Sequence, residues 1–366
     1  MNRATLLKCL QDNGINRPED SPLSERICSP NPNMTSAEVA TLLGGNKKSS
    51  KPEALVIPTI ILTPNGYTKN HSGMFIPDDL KPIQGLIHPI IDPDFKLSEV
   101  DREVFKVQIS LGKDNGQQMN TLLKGPQGCG KTSKAMQFAA HAGLPVLKES
   151  CPLKRETRDW FGYKTASAGD VSWVETQFVE SVRRGYVVIC LDELTRCAPA
   201  VLNSLLPLMD DTHEAFVEEI KDTLKVGPYV YFFATANIGQ QFVGAHSKID
   251  AALEDRFGII MECDFLSEKE EIDLLVSRTG IEKSDAAKLV GIANCVRNGS
   301  GDDGGIGSTL TQTISTRTLL STARLFVKMG SKAFHCALLT KFSGAGGTNS
   351  ERASVMQIIQ AKYSTL

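Results

Sequence analysis

The 366-residue sequence lacks several features that would assign it to a class of protein at once. No stretch approaches the roughly 18 consecutive apolar residues of a membrane-spanning helix, so we expect no membrane association. The first residues reach a lysine and then a Gln-Asp pair before a secretory apolar core forms, so we expect no targeting signal. The nine cysteines include no Cys-x-x-Cys pair and have no histidine at zinc spacing. They therefore indicate reduced thiols in a cytoplasmic protein.

An excess of either charge is also missing, and aromatic residues are few. The 40 Lys and Arg residues nearly balance the 42 Asp and Glu residues, which leaves a net charge of −2 and no global attraction to nucleic acid or anionic membranes. Aromatic residues make up 6% of the chain, while the 41% of hydrophobic residues suffices for a buried core. The absence of an internal repeat with a period of about 20–50 residues excludes solenoids and propellers.

The features that are present divide the chain into three regions. Eleven of the 17 prolines precede residue 94, and residues 1–85 show no long apolar periodicity, which predicts a Pro-rich N-terminal extension or small irregular module. Between residues 86 and 264, helical segments alternate with short β-branched apolar runs. This alternation predicts an α/β domain whose parallel sheet is sandwiched by helices. Residues 265–366 contain helical segments without strands, which predicts a small all-α domain.

A glycine-rich loop follows the apolar run at Leu122 and precedes a predicted helix over 132–142. Residues 125–132 read Gly-Pro-Gln-Gly-Cys-Gly-Lys-Thr and match the P-loop pattern G-x-x-x-x-G-K-[ST] in the strand-loop-helix context that it requires. Backbone N–H groups of such a loop and the positive end of the helix converge on a polyphosphate. The residues expected to bind ATP are Gly125, Pro126, Gln127, Gly128, Cys129, Gly130, Lys131, Thr132 and Ser133.

Three side chains of this loop have more specific expected roles. Lys131 places a positive charge at the β- and γ-phosphates, and the Thr132 hydroxyl is a ligand for Mg²⁺. Cys129 has two interpretations. A helix N-terminus can lower the pKa of a thiol and make it a redox switch of nucleotide binding, but a small residue that simply fits the loop is the favoured interpretation.

Two further apolar runs end in polar residues that suit hydrolysis. The run 187–191 is followed by Asp192 and Glu193, which therefore emerge at the carboxyl edge of the predicted sheet. Beside a phosphate loop, Asp192 can hold the Mg²⁺ shell and Glu193 can orient the attacking water. The run 229–236 ends at Asn237, whose amide could hold the same water. A plain turn residue is the alternative for Asn237.

Taken together, these strand ends resemble the AAA+ ATPases over roughly residues 95–330. The loop resembles the family's Walker A motif, residues 188–193 its Walker B motif, and Asn237 its sensor 1. The resemblance implies that Arg256, in an Asp-Arg-Phe segment, is an arginine finger for a neighbouring subunit's γ-phosphate. It also implies that Arg317, in Ser-Thr-Arg, is the sensor 2 of a helical lid. A surface ion pair is the alternative for either arginine.

Within that family, the segments 192–199 and 236–239 resemble the MoxR group and its CbbQ, NorQ and CobS-like members, of the dynein-related type. The group implies two insertions that point at the pore of a ring, here over 159–173 and 212–228. Aromatic residues in the first insertion would form an exposed, partner-gripping loop, with core packing as the alternative. These aromatic residues are Trp160, Phe161 and Tyr163.

The resemblance implies a homo-oligomeric ring, as a hexamer, that couples Mg-ATP hydrolysis to remodelling of a client or adaptor protein, one with a von Willebrand factor A domain. The alternative is an AAA+ ATPase that acts on nucleic acid, in replication, restriction or a phage-related machine. That function predicts a basic face or a helix-turn-helix, and neither is evident. A non-hydrolysing nucleotide switch and a small-molecule kinase are disfavoured, because neither needs Glu193 together with Arg256. The base specificity, ATP or GTP, stays open.

Overall fold

The computed structural model describes residues 66–81, 83–113, 118–167, 170–218, 221–237, 249–299, 310, 312–345, 347 and 350–363. The chain divides into two compact units, residues 1–68 and 69–366. The second unit contains nearly all of the described residues. Most of the predicted N-terminal extension therefore lies outside them.

The secondary structure follows the predicted order of a strand-rich region and then a helical one. The strands are β1 (Tyr67–Lys69), β2 (Phe75–Pro77), β3 (Thr121–Gly125), β4 (Val146–Ser150), β5 (Gly162–Ser167), β6 (Asp170–Glu175), β7 (Val187–Asp192), β8 (Glu214–Val217), β9 (Asp222–Lys225), β10 (Val230–Asn237) and β11 (Ile259–Glu262). The α-helices are α1 (Glu99–Lys113), α2 (Lys131–Ala142), α3 (Arg158–Phe161), α4 (Gln177–Arg184), α5 (Pro199–Leu202), α6 (Leu206–Met209), α7 (Ala251–Glu254), α8 (Glu268–Thr279), α9 (Lys283–Gly299), α10 (Thr316–Met329) and α11 (Glu351–Lys362).

Five parallel strands form the central sheet, in the order β11-β3-β10-β7-β4. Alternate residues of each strand face two different hydrophobic cores. Leu122 and Phe232 belong to one core, whereas Leu123 and Phe233 belong to the other, where Phe138 of α2 packs 4.6 Å from the Phe233 ring. All eight residues of β10 are buried. A parallel sheet covered on both faces is the predicted architecture, and the prediction is confirmed.

The C-terminal region is a helical lid with a core of its own, built from α8, α9, α10 and α11 and the segment 334–342. Helix α8 begins in a capping box, in which Ser267 and Glu270 each bond the other's backbone N–H. No strand follows β11 among the described residues. Within the same part of the chain, no helix combines the length and apolar character needed to cross a bilayer.

Two antiparallel hairpins interrupt the α/β region at the positions of the predicted insertions, β5–β6 and β8–β9. The expectation that Trp160 and Phe161 are exposed is wrong. Both are buried, because they lie on the short helix α3 below the hairpin, where the Trp160 ring packs 5.2 Å from Phe178 of α4. Tyr163, on β5 itself, has 56% of its surface exposed.

The hydroxyl of Tyr231 is buried and has no hydrogen-bond partner among the residues that the structure describes. It lies so close to Gly112 of α1 that a side chain there would clash with it. Because an unpaired buried hydroxyl destabilises a fold by about 1–3 kcal/mol, we expect Tyr231→Phe to raise the melting temperature by a few degrees. Thermal unfolding followed by circular dichroism measures this shift. The control Tyr229→Phe loses a hydrogen bond from the Phe75 backbone N–H and should give no increase.

Candidate functional site

The glycine-rich loop connects β3 to the N-terminus of α2 through backbone conformations that suit glycine. Gly128 and Gly130 have φ angles of 76° and 100°, in the left-handed region that other residues rarely adopt. A Cβ at Gly128 would also lie 2.5 Å from the Cβ of Ser315 in the lid. The loop therefore folds tightly around the start of α2, where the positive end of the helix favours a phosphate.

The charged group of the loop is the ammonium of Lys131, which is 6% exposed. Its Nζ donates hydrogen bonds to the carbonyl oxygens of Gly125, at 2.9 Å, and Pro126, at 2.6 Å. Burial lowers the pKa of Lys131, and the neighbouring Cys129 opposes that effect. The ammonium is thus held inside the concave side of the loop. Gln127 is exposed at the tip of the loop.

Burial also shifts the pKa of the Cys129 thiol in the loop. It raises the pKa of Cys129, although the charge of Lys131 acts in the opposite direction. The Cys129 Sγ lies 3.7 Å from the Cys263 carbonyl oxygen. Burial and this contact favour the packing interpretation of Cys129 over the redox interpretation. The seven described cysteines are all free.

Asp192, at the end of β7, accepts bonds from three different elements. Its Oδ1 accepts from the hydroxyls of Thr132 and Thr235, each at 2.8 Å, and its Oδ2 lies 2.8 Å from Lys148 Nζ. Burial alone would raise the pKa of Asp192, but the hydrogen bonds from Lys148, Thr235 and Thr132 outweigh burial and lower it. The carboxylate is therefore ionised at neutral pH, as a magnesium site requires.

Glu193 follows directly in a left-handed conformation, with φ 57° and ψ 48°. Such a backbone is strained by about 1–3 kcal/mol in a residue other than glycine. It is held by a hydrogen bond from the Glu193 N–H to the Thr235 hydroxyl, at 2.9 Å. The carboxylate accepts a hydrogen bond from Arg196, at 2.8 Å. One threonine hydroxyl thus positions both acidic residues.

Sequence reasoning missed Thr235 and Lys148. Thr235 lies inside an apolar run, and Lys148 lies on the edge strand β4, so neither belongs to a recognisable motif. Their only sequence signal is a polar side chain near the carboxyl end of a predicted parallel strand.

Asn237 ends β10 opposite Gly125 of β3 and is 8% exposed. The sheet therefore brings the predicted sensor 1 beside the start of the phosphate loop.

A cleft of about 880 Å³ lies between the sheet edge and the lid. Gly128, Gly130 and Ser133 line it from the phosphate loop and α2, and Arg317 lines it from α10 of the lid. The residues that line it do not include Arg256, nor the predicted site residues Lys131, Thr132, Asp192, Glu193 and Asn237. The Arg256 side chain is 33% exposed, with its Nη1 3.4 Å from Asp255 Oδ2. The structure therefore brings one predicted arginine, and not the other, to the phosphate loop of the same chain.

Arg317 is anchored by a buried network at the start of α10. The preceding residue, Thr316, donates to Glu271 Oε1 at 2.6 Å. Glu271 also accepts two hydrogen bonds from Arg297, at 2.7 and 2.9 Å, in a fork that is almost completely buried. The Arg297 guanidinium stacks 3.9 Å from the centroid of the Phe265 ring, between β11 and α8. These contacts fix the lid helix beside the cleft.

The donor set fits a magnesium-bound nucleoside triphosphate. A hydroxyl and an ionised carboxylate, from Thr132 and Asp192, are oxygen ligands that Mg²⁺ prefers. Lys131 and the N-terminus of α2 supply the positive potential that a polyphosphate requires. The glycine loop leaves its backbone open to close approach.

Comparison with known proteins agrees with this geometry. A family model described as "AAA domain (dynein-related subfamily)" matches residues 120–257, and one described as "CbbQ/NirQ/NorQ C-terminal" matches residues 271–361. The chain belongs to the MoxR-type AAA+ ATPases. The first match spans the phosphate loop, the Asp192-Glu193 pair, Asn237 and Arg256, and the second spans the helical lid with Arg317.

Individual relatives are similar over parts of their length. BssE of Thauera aromatica is 34% identical over 180 residues, which cover 49% of this chain and 62% of BssE. The chain therefore spans less than two thirds of that relative. NorQ of Paracoccus denitrificans is 28% identical over 236 residues, which cover 64% of this chain and 82% of NorQ. Among solved structures, the Thermotoga maritima RuvB Holliday junction branch migration motor matches with a TM-score of 0.45 and 16% identity, over 75% of this chain and 72% of RuvB. That similarity carries no functional argument.

We expect Thr235→Val to keep the shape of the side chain but to release both Asp192 and the Glu193 backbone. Loss of a partner behind a metal ligand lowers metal affinity or activity by about 10–100-fold. ATPase rates measured across a Mg²⁺ titration test this expectation. The control Thr121→Val changes an equally buried threonine on β3 and should leave the Mg²⁺ dependence unchanged. A normal titration for Thr235→Val would contradict the assignment.

Proposed function

We propose that this AAA+ protein is a ring-forming ATPase that uses Mg-ATP hydrolysis to remodel a partner protein. The observation that carries the proposal is the arrangement at the carboxyl edge of the sheet. Thr132 donates to Asp192 there, and the Thr235 hydroxyl joins Asp192 to the Glu193 backbone. An Asp-Glu pair beside a phosphate loop suits hydrolysis, because one carboxylate serves the metal and the other serves the water.

The side chains divide the work of hydrolysis. Mg²⁺, when bound, neutralises negative charge that develops on the β- and γ-phosphates. Thr132 and Asp192 would hold the metal, and Lys131 would bind the phosphates. Glu193 would polarise the attacking water and Asn237 would orient it. Arg317 approaches the phosphates from the lid.

The position of Arg256 supports a site that is shared between subunits. The Arg256 guanidinium contacts Asp255, and no hydrogen bond among the described residues joins it to the phosphate loop, Asp192 or Glu193 of its own chain. A guanidinium supplied by a neighbour accelerates phosphoryl transfer by on the order of 10³-fold or more. A head-to-tail contact, repeated until it closes, produces a ring, which we propose to be a hexamer.

The two hairpins are the proposed contacts with the partner. Tyr163 of β5 is 56% exposed and Phe216 of β8 is 62% exposed, so each hairpin presents an aromatic ring to solvent. Exposed aromatic side chains are favoured contacts in protein interfaces. We propose that the partner is a client or adaptor protein in the cytoplasm, with a von Willebrand factor A domain. The near-zero net charge favours a protein over nucleic acid.

Specific ATPase activity should rise steeply with protein concentration, without partner or DNA, because a site completed by a neighbour works only when subunits meet. Activity would be measured over a dilution series, with subunit association followed in parallel by analytical ultracentrifugation. Flat activity across the dissociation range would contradict a shared site. Stimulation by DNA or RNA would favour the nucleic-acid alternative instead.

Arg256→Ala and Lys131→Ala should separate turnover from binding. Arg256→Ala should keep nucleotide affinity and lose about 10³-fold in turnover, since the finger acts in the transition state. Lys131→Ala should weaken nucleotide binding itself, because it removes the charge inside the loop. Titration with a fluorescent ATP analogue and steady-state kinetics measure the two quantities. Normal turnover in Arg256→Ala would remove the finger from the mechanism.

A further inference from the structure

The side-chain amide of Asn120 joins two segments that are distant in sequence. Asn120 directly precedes β3 and is 8% exposed. Its Nδ2 donates to the carbonyl oxygen of Arg256, at 2.8 Å, and to the carbonyl oxygen of Met209, also at 2.8 Å. Both hydrogens of the amide are therefore used, each on a different backbone segment.

The first of these segments contains the proposed finger. The Arg256 N–H donates to the Leu253 carbonyl at 3.2 Å, so the residue closes the last turn of α7. The Asn120 bond then fixes the carbonyl group of the same residue. Apart from the contact of Nη1 with Asp255 Oδ2, at 3.4 Å, no side-chain hydrogen bond among the described residues holds the guanidinium, and its Nε is buried without a partner there. The direction of the guanidinium thus depends on where the backbone is held.

The second segment is the root of the β8–β9 hairpin. Met209 is the last residue of α6, and Asp210 follows with its carboxylate accepting from Thr212 N at 2.9 Å and Thr212 Oγ1 at 2.6 Å. The Thr212 bonds lower the pKa of Asp210, and the charge of Arg256 lowers it further. An ionised Asp210 therefore lies near the guanidinium. Asn120 ties this corner to the Arg256 backbone.

Asn120 is not part of its own chain's nucleotide site. Its backbone carbonyl accepts from the Ile259 N–H at 3.1 Å, as a normal extension of the β3–β11 ladder. It precedes the phosphate loop by the whole of β3 and does not line the cleft. A role at the finger is supported by a direct bond, whereas no hydrogen bond among the described residues joins the Asn120 side chain to the phosphate loop or to the Asp192-Glu193 pair.

We infer that Asn120 is a positioning residue for the arginine finger, and that it sets the reach of Arg256 into the neighbouring subunit's site. This inference rests on the proposed shared site. It also makes the finger and the root of the partner-contacting hairpin move as one unit, because a single amide bonds both backbones. A carboxylate cannot replace that amide, since it has no hydrogen to donate to a carbonyl oxygen.

The test compares Asn120→Ala and Asn120→Asp with Thr121→Val. Thr121 is the next residue, is fully buried and loses one side-chain hydrogen bond, from Gln108, so it is a buried change beside Asn120 that does not touch Arg256. Both Asn120 variants should bind a fluorescent ATP analogue normally and lose on the order of 10²-fold in turnover, as small misplacements of a catalytic group do. Thr121→Val should keep full turnover.

Mixed rings provide a readout that a general structural defect would not change. Lys131→Ala subunits have a defective nucleotide site but an intact finger, whereas Asn120→Ala subunits have the opposite combination. An equal mixture should recover roughly a quarter of wild-type turnover, since half of the sites are intact and half of those face an intact finger. A mixture of Arg256→Ala with Lys131→Ala gives the reference for full complementation.

Each result decides between the two proposals. Recovery in the Arg256 mixture but not in the Asn120 mixture would overturn the role of Asn120 and leave the shared site intact. Recovery in neither mixture would overturn the finger in trans, and the role of Asn120 with it. Wild-type turnover in Asn120→Asp, or loss of nucleotide binding in both Asn120 variants, would also overturn the positioning role.

Discussion

The Asp192 carboxylate accepts bonds from three elements that the chain supplies far apart, and the rest of the site depends on it. Thr132 comes from α2, Lys148 from β4 and Thr235 from β10. Parallel strands end at the same edge of a sheet, so the strand order β10-β7-β4 brings these side chains together. Together their bonds compensate for burial and keep the carboxylate ionised. Without these bonds, burial would raise the pKa of Asp192, and a protonated carboxyl group is a poor ligand for a metal.

In the lid, a second buried carboxylate, that of Glu271, is also stabilised by contacts from several elements. Glu271 is completely buried, yet Arg297 and Thr316 satisfy its oxygens, and the Phe265 ring covers the guanidinium. Removal of one partner from such a pair leaves an uncompensated charge and destabilises a protein by about 3–5 kcal/mol. The Glu271–Arg297 pair therefore fixes the position of the start of α10. It places Arg317 in the cleft that also contains the phosphate loop.

The two predicted arginines are therefore held at different places by different contacts. Arg317 lies on a helix anchored inside its own lid, whereas Arg256 lies outside the cleft, on a backbone fixed by Asn120. The proposed active site, which two neighbouring subunits share, requires this separation of the two arginines. In the proposed ring of subunits, the exposed aromatic residues of the two hairpins would give a partner protein a surface to bind.

The order of elements and the phosphate loop could be predicted from sequence, because alternating apolar runs and a contiguous eight-residue motif are local signals. The Asp192-Glu193 pair and Asn237 could be located for the same reason, as each directly follows an apolar strand. Thr235, Lys148 and Asn120 could not, since a polar residue within or beside a strand acquires its partner only when the strand order is known. The burial of Trp160 was likewise decided by how α3 packs on α4. Sequence alone thus determined which residues could bind a nucleotide, and tertiary structure decided what holds them, because hydrogen bonds between distant segments exist only after the chain folds.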